Sequence, residues 1–282
     1  MDAFFPSLSV AIPDSSLIDS KSLLEKSLRV AQFARALSIF RVEKVYVYHD
    51  VSSNVRPDDS KLITLLLEYL DTPQYLRKLL YPKMKLLQFA GMLPPIQSPH
   101  HKRYVKASEI HSEEARTGVL LRNRDTWVVE AGLDHTVQFI GHTKTSRKSN
   151  FKLSVKKGKL VAKEINGRVS KSEYWGYQVV SIHNLSEISR SLSDVKFLIT
   201  SRRGKPISNI IPSFARNFEY ASEVVLIFGS PRHEVWEIVD RIDENLINSS
   251  LVINMFPLQG TNTVRLEEAL LGSLAIINII RV

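Results

Sequence analysis

Three short runs carry residue types suited to holding a small polar ligand, and each follows an apolar stretch. They are Thr200-Ser201-Arg202-Arg203-Gly204, Phe228-Gly229-Ser230-Pro231 and Phe256-Pro257-Leu258-Gln259-Gly260-Thr261-Asn262-Thr263. Hydroxyls and an amide supply directional hydrogen bonds, and Gly204, Gly229 and Gly260 let main chain approach a ligand closely. In open α/β sheets ligands sit beyond the carboxyl ends of strands, so three such loops point to one shared pocket. Any one of them alone reads as ordinary turn chemistry. None is a phosphate cradle: no G-x-G-x-x-G follows a strand, and neither a G-x-x-x-x-G-K-[ST] loop nor a G-x-S-x-G elbow occurs. The chain has no cysteine, which removes disulfides, thiolate zinc sites and cysteine nucleophiles. His100-His101 is the densest histidine pair. With no nearby carboxylate at ligand spacing it reads as solvated or RNA-facing, and no metal is expected.

Strands and helices must position these loops. Val195–Thr200, Glu223–Gly229 and Ser250–Met255 are near-continuous apolar runs, the pattern of strands covered on both faces. Helical spacing follows in His233–Ile242 and Thr263–Ile280. Thr263 reads as an N-cap, with Glu267 and Glu268 near the positive end of the helix dipole. From Ala269 to Ile280 there is no charge. Leu266, Leu270, Leu274 and Ile277 form one stripe, and Leu271, Ala275 and Ile279 cover another side. A helix apolar all round is buried all round, within the chain or at a subunit interface. Toward the N-terminus, Leu8–Ile12 and Val45–Tyr48 read as strands. Lys21–Leu37 reads as a helix with Leu24, Leu28 and Ala31 on one face, and Ser60–Leu70 and Gln74–Leu80 as two more helices.

The texture changes at Leu93-Pro94-Pro95. The net charge is +9, and nearly all of it is local: Pro95–Trp175 holds 16 Lys and Arg against 8 Asp and Glu, the rest of the chain 22 against 21. Short β-type runs occupy this segment at Gly118–Leu121, Thr126–Ala131, Thr136–Ile140 and Phe151–Val155, with turn signals at Lys157-Gly158 and Asn166-Gly167. A basic set of short strands suggests an OB-like barrel that binds oligonucleotides, though an immunoglobulin-like sandwich has similar periodicity. His100, His101, Lys102, Arg103, Arg147, Lys148, Lys152 and Lys156 are the candidate RNA contacts. Tyr104, Trp127 and Phe151 are candidate stacking platforms, with core packing the alternative for Trp127. The expected organisation is an α/β domain from residues 1–92 and 176–282 with an all-β barrel, residues 93–175, inserted in it. No run approaches the roughly 20 apolar residues of a membrane span. The start lacks the basic n-region of a signal peptide, so a cytoplasmic protein is expected.

The run INMFPLQGTNTVRLEEALLGSLAIIN resembles the C-terminal signature of the SPOUT-class methyltransferases, whose chain forms an α/β trefoil knot. The chain is similar in particular to archaeal RNA methyltransferases with an OB-fold insert, related to the centromere protein 32 type. SLSVAIPDSSL, ARALSIFRVEKVYVYHD, TPQYLRKLLYPKMKLLQFAGMLPPIQSPHH, ARTGVLL, YWGYQV, ITSRRGKPI and FGSPRHEVWEI match in order along essentially the whole chain. The resemblance implies a homodimer, joined through the knot and the C-terminal helix. It also implies S-adenosylmethionine clasped by three knot loops. Thr200, Ser201 and Arg202 would lie on the first, and Phe228, Gly229, Ser230 and Pro231 on the second. Asn254, Met255, Phe256, Pro257, Gln259, Gly260, Thr261, Thr263, Val264 and Arg265 would form the third. Arg35 resembles the arginine that related enzymes present to RNA, and otherwise is a surface helix residue.

Methyl transfer from a sulfonium asks for alignment and dryness, while a ring nitrogen or ribose hydroxyl must also lose a proton. Glu267 is the leading proton acceptor, with Glu268 and the His233-Glu234 pair as further candidates. The sequence also admits a non-catalytic knotted RNA-binding protein that retains the donor pocket, and a SPOUT-type protein methyltransferase.

Overall fold

Local chemistry starts the first helix, α1 (Leu23–Ile39). The Ser22 hydroxyl accepts from the Glu25 N–H at 3.1 Å, and the Glu25 carboxylate accepts from the Lys21 N–H at 3.0 Å. Val30, Phe33, Ala34 and Leu37, spaced i, i+3, i+4 and i+7, form its buried face. Leu28 is exposed, so the core-facing stripe is rotated from the one expected through Leu24, Leu28 and Ala31. Lys26 is also buried, because it pairs at 2.5 Å with Asp59 of α2 (Pro57–Asp71). The structure is a computed structural model that describes residues 6–143, 145–167, 169–170, 173–191, 194–211, 221–239 and 243–281.

Six strands form one sheet in which every pairing is parallel: β1 (Ser7–Pro13), β2 (Lys44–Tyr48), β8 (Gln178–Ile182), β9 (Val195–Pro206), β10 (Glu223–Ile227) and β11 (Leu251–Asn254). Their order is β11-β9-β10-β1-β2-β8. One face, with Ala11, Tyr46, Ile199, Val225 and Ile227, packs on α4 (Ser186–Ser191), α5 (Val235–Ile238) and α6 (Glu244–Ser249). The alternate residues Val10, Ile12, Val45, Leu198 and Leu226 are buried just as fully, so both faces are covered, as the apolar runs require.

Between residues 114 and 164 a second sheet closes on itself. Its strands are β3 (Glu114–Asn123), β4 (Thr126–Glu130), β5 (Val137–Phe139), β6 (Arg147–Lys156) and β7 (Lys159–Glu164), in the order β3-β4-β5-β7-β6, with β6 pairing back to β3. All pairings are antiparallel except β5 with β7. Leu120, Val129, Val137, Phe139, Phe151 and Leu153 fill its core. Lys157 and Gly158 turn β6 into β7 with φ of +50° and +75°, the left-handed pair that a two-residue hairpin turn needs.

Two compact units result: Met1–Glu68, Lys85–Pro94 and Tyr177–Val282 in one, Tyr69–Met84 and Pro95–Gly176 in the other. The second therefore includes α3 (Gln74–Leu80) as well as the barrel. Two helix expectations change. The C-terminal helix, α7 (Leu266–Arg281), starts three residues past Thr263, because that residue belongs to a loop whose Thr261 hydroxyl donates to the Thr263 carbonyl. Only Val235–Ile238 of the expected His233–Ile242 helix is helical, Val239 being extended, and residues 240–242 lie outside the described ones. Among the described residues no helix is long and apolar enough to cross a membrane.

Candidate functional site

β11, β9 and β10 are neighbours and run the same way, so the three loops noted in the sequence leave the sheet at one edge. The first loop is created by a register slip. β11 pairs Leu251 with Leu198 and Val252 with Ile199, then Ile253 with Lys205 and Asn254 with Pro206. Residues 200–204 are thereby pushed out of the ladder and overhang the strand ends. Only glycine fits where the slip closes: a Cβ on Gly204 would lie 2.5–2.8 Å from the backbone of Ile253 and Asn254. Gly204→Ala is expected to destabilise the protein by about 1–3 kcal/mol and to distort the first loop. Chemical denaturation checks this, and unchanged stability would mean the two backbones separate easily.

The second loop is held from below. Tyr48 is fully buried and its hydroxyl donates to the Phe228 carbonyl at 2.6 Å. Burial pushes its phenol well above the ordinary range, so it remains a donor. The Ser230 hydroxyl then accepts from the Arg232 and His233 N–H groups, turning the chain tightly into α5. In the third loop the Asn254 side chain donates to the Arg202 carbonyl at 3.1 Å and accepts from the Phe256 N–H at 3.0 Å. Arg202 in turn donates to the Asn262 carbonyl at 2.7 Å, so loops one and three are tied together.

These loops and α7 enclose a cavity of about 240 Å³. From the first loop Thr200, Ser201 and Arg202 line it, and from the second Phe228, Gly229, Ser230 and Pro231. From the third come Asn254, Met255, Phe256, Gln259, Thr263 and Val264. Pro257, Gly260, Thr261 and Arg265 do not line it, and a Cβ on Gly260 would meet nothing within 4 Å. The His233-Glu234 pair, a proton-acceptor candidate from sequence, also lines it, and unexpected are Arg232 after the second loop and Leu266, Ala269 and Ser273 on one side of α7. Its walls are part apolar and part polar, and two polar atoms in them are buried without a partner: His233 Nδ1 and Ser273 Oγ. Such orphan groups are costly unless a ligand or water completes them.

A second groove of about 530 Å³ shares Pro231, Thr263, Val264 and Leu266 with this cavity. Glu267 lies in it, on α7, and accepts from Arg29 of α1 at 3.2 and 3.1 Å. Both side chains are nearly buried, at 12% and 11% exposure. Arg29 also donates to Ser20 at 3.0 Å. Arg265 and Glu268 line the same groove, the Glu268 carboxylate accepting from the Arg265 N–H at 2.9 Å. Arg35 is exposed on α1 and lines neither space.

In the barrel-bearing unit Arg103, Lys148, Lys152 and Lys156 are exposed, while Lys102 is half-buried near Glu114. Arg147 pairs with Glu164 and Lys152 with Glu113. Two expectations are corrected here. Phe151 is fully buried in the barrel core and cannot stack on a base; Trp127 is half-buried against that core, and Tyr104 is 61% exposed. His100 is 1% exposed, and both ring nitrogens of His101 face backbone carbonyls, so neither ring is the solvated group expected.

Comparison with known proteins agrees in one direction. The family described as "Putative RNA methyltransferase" matches residues 7–277. A Drosophila melanogaster protein named 28S rRNA (uridine-N(3))-methyltransferase is 30% identical, over 95% of this chain and 61% of its own length. The human protein of the same name is 29% identical over 95% and 77%. A Haloarcula marismortui protein is 23% identical over 94% and 96%. This chain thus spans about three-fifths of the fly relative and about three-quarters of the human one. With a parallel sheet, a loop-lined cavity at its edge and a family match along nearly its whole length, the chain belongs to this family of RNA methyltransferases.

Proposed function

We propose that this chain is an S-adenosylmethionine-dependent RNA methyltransferase of the SPOUT class, with a trefoil-knotted α/β domain from residues 1–92 and 176–282. The observation that carries the reading is the cavity beyond β9, β10 and β11, with its orphan His233 Nδ1 and Ser273 Oγ and its apolar walls of Phe228, Met255 and Leu266. That mixture suits a ligand with a flat heterocycle, hydroxyls and a charged tail. Residues of all three loops would hold the donor. When bound, the donor supplies a methyl group on a sulfonium that departs as a neutral thioether. The protein's own part is to orient the acceptor, exclude water and take a proton.

The adjoining groove is the proposed seat of the acceptor nucleotide, since both spaces share Thr263 and Val264. The fly and human relatives are named for uridine N3 in 28S rRNA. A uridine N3 of a ribosomal RNA is the acceptor proposed here. That nitrogen carries a proton, and Glu267, held by Arg29, is the proposed acceptor for it. The order β3-β4-β5-β7-β6, with a parallel β5–β7 pair, supports an OB-type barrel in residues 93–175 that grips RNA. Calorimetry with S-adenosylmethionine tests the donor claim: one site per chain is expected, and no heat of binding sinks it.

A homodimer through α7 completes the reading. Leu271 and Ile279 are 49% and 77% exposed on α7, and Leu28 and Ile39 are 43% and 53% exposed on α1, the helix that packs against α7. Replacing Leu271 by Asp and Ile279 by Lys together is expected to give a monomer by light scattering. A dimer of undiminished strength in that variant would place the interface elsewhere.

A further inference from the structure

Asp71 and His100 stand 29 residues apart, yet the fold joins them and His101 into one cluster. Asp71 ends α2, and the two histidines close the stretch that follows Pro95. The Nε2 atom of His100 lies 2.8 Å from the Asp71 carbonyl oxygen and 3.3 Å from its Oδ1. The Nε2 atom of His101 lies 3.0 Å from the same carbonyl. One ligand atom from each residue falls within 4.8 Å of the other two. Asp71 and His100 are buried, at 7% and 1% exposure.

The hydrogen-bond arithmetic is unbalanced. His101 also directs Nδ1 at the Ile96 carbonyl, 2.6 Å away. A neutral imidazole has one N–H. If Nδ1 donates to Ile96, the Nε2 lone pair faces the lone pairs of the Asp71 carbonyl, and something electropositive must lie there. His100 Nε2 faces the Asp71 carbonyl and so carries the N–H of a neutral ring, which leaves the Nδ1 lone pair buried without any partner. Bare backbone shuts the cluster: Gly176 has φ +83°, and a Cβ on it would come within 2.4 Å of Asp71 Oδ1 and 2.7 Å of the His100 ring.

We propose that Asp71, His100 and His101 bind one divalent transition-metal ion, zinc before others. Two imidazoles and a carboxylate form a borderline nitrogen–oxygen set, with the fourth tetrahedral position left to the Asp71 carbonyl or a water. The His101 Nδ1–H to Ile96 bond is then the outer contact that aims Nε2 at the metal. Each bound nitrogen gives up any proton it carried as the ion enters. The ion clamps the end of α2 to the chain before the barrel and to Trp175-Gly176 after it, all within one unit.

The test uses the untagged whole protein, stripped with a chelator and then titrated with Zn²⁺ alone by calorimetry and with Co²⁺ by visible absorption. One equivalent is expected, with the absorption of a four-coordinate cobalt site and a higher melting temperature once metal is added. Asp71→Asn and His101→Gln, each confirmed folded by circular dichroism, are expected to bind at least ten times more weakly. Absence of stoichiometric binding by the wild type overturns the site. So does wild-type affinity in both variants, which would locate binding at other histidines.

Discussion

Ala269→Phe is expected to weaken S-adenosylmethionine binding at least a hundredfold, a loss of about 2.7 kcal/mol, while leaving the fold intact. Ala269 is half-buried on the side of α7 that, with Leu266 and Ser273, walls the cavity. A benzyl group there projects into ligand space, not into a packed core, and alanine to phenylalanine costs a helix only a few tenths of a kcal/mol. Far-ultraviolet circular dichroism and the melting curve should match the wild type. The outcome against the account is undiminished donor affinity in a folded variant, which would move the pocket away from α7.

Glu267→Gln should lower the rate of methyl transfer by roughly a hundredfold to ten-thousandfold, the range for losing a proton acceptor, with donor affinity unchanged. Glu267 lines the groove next to the donor cavity and not the cavity itself, so the two readouts separate. The amide oxygen of glutamine still accepts from Arg29, which keeps α1 tied to α7 and limits the cost in stability. Single-turnover rates of labelled methyl transfer read the effect. A variant as fast as the wild type would remove Glu267 from the chemistry and turn attention to Glu234, which lines the cavity and forms the capping box of α5 with Glu237.

Much of the sheet was legible because strands buried on both faces leave unbroken apolar runs, as Val224–Ile227 does. The register slip at residues 200–204 was not. Polar residues ended the apparent strand at Thr200, whereas pairing resumes at Lys205 and Pro206 once Gly204 brings two backbones together. The loops of the cavity could be read from glycine, hydroxyl and amide residues, but its helical wall could not. Ala269 and Ser273 look like small residues in a packing stripe, and their absence of bulk is the signal that space lies opposite them. Arg29 was missed because its partner Glu267 is 238 residues away. A separation of 29 residues likewise hid Asp71 from His100. Alternation put Phe151 on the same face as Leu153 without saying whether that face was core or surface, and barrel closure decided it. Helical periodicity in residues 74–80 was visible, but periodicity does not tell which core a helix packs on, and contacts join this one to the barrel-bearing unit.

The central claim is that this chain moves a methyl group to RNA. Wild-type protein incubated with methyl-labelled S-adenosylmethionine, total RNA and total protein tests it most directly, with the RNA afterwards digested to nucleosides. The account predicts label in RNA, in a uridine methylated on N3, and none when Ala269 is replaced by phenylalanine. Label confined to protein, or no transfer by an enzyme that binds the donor, would contradict it.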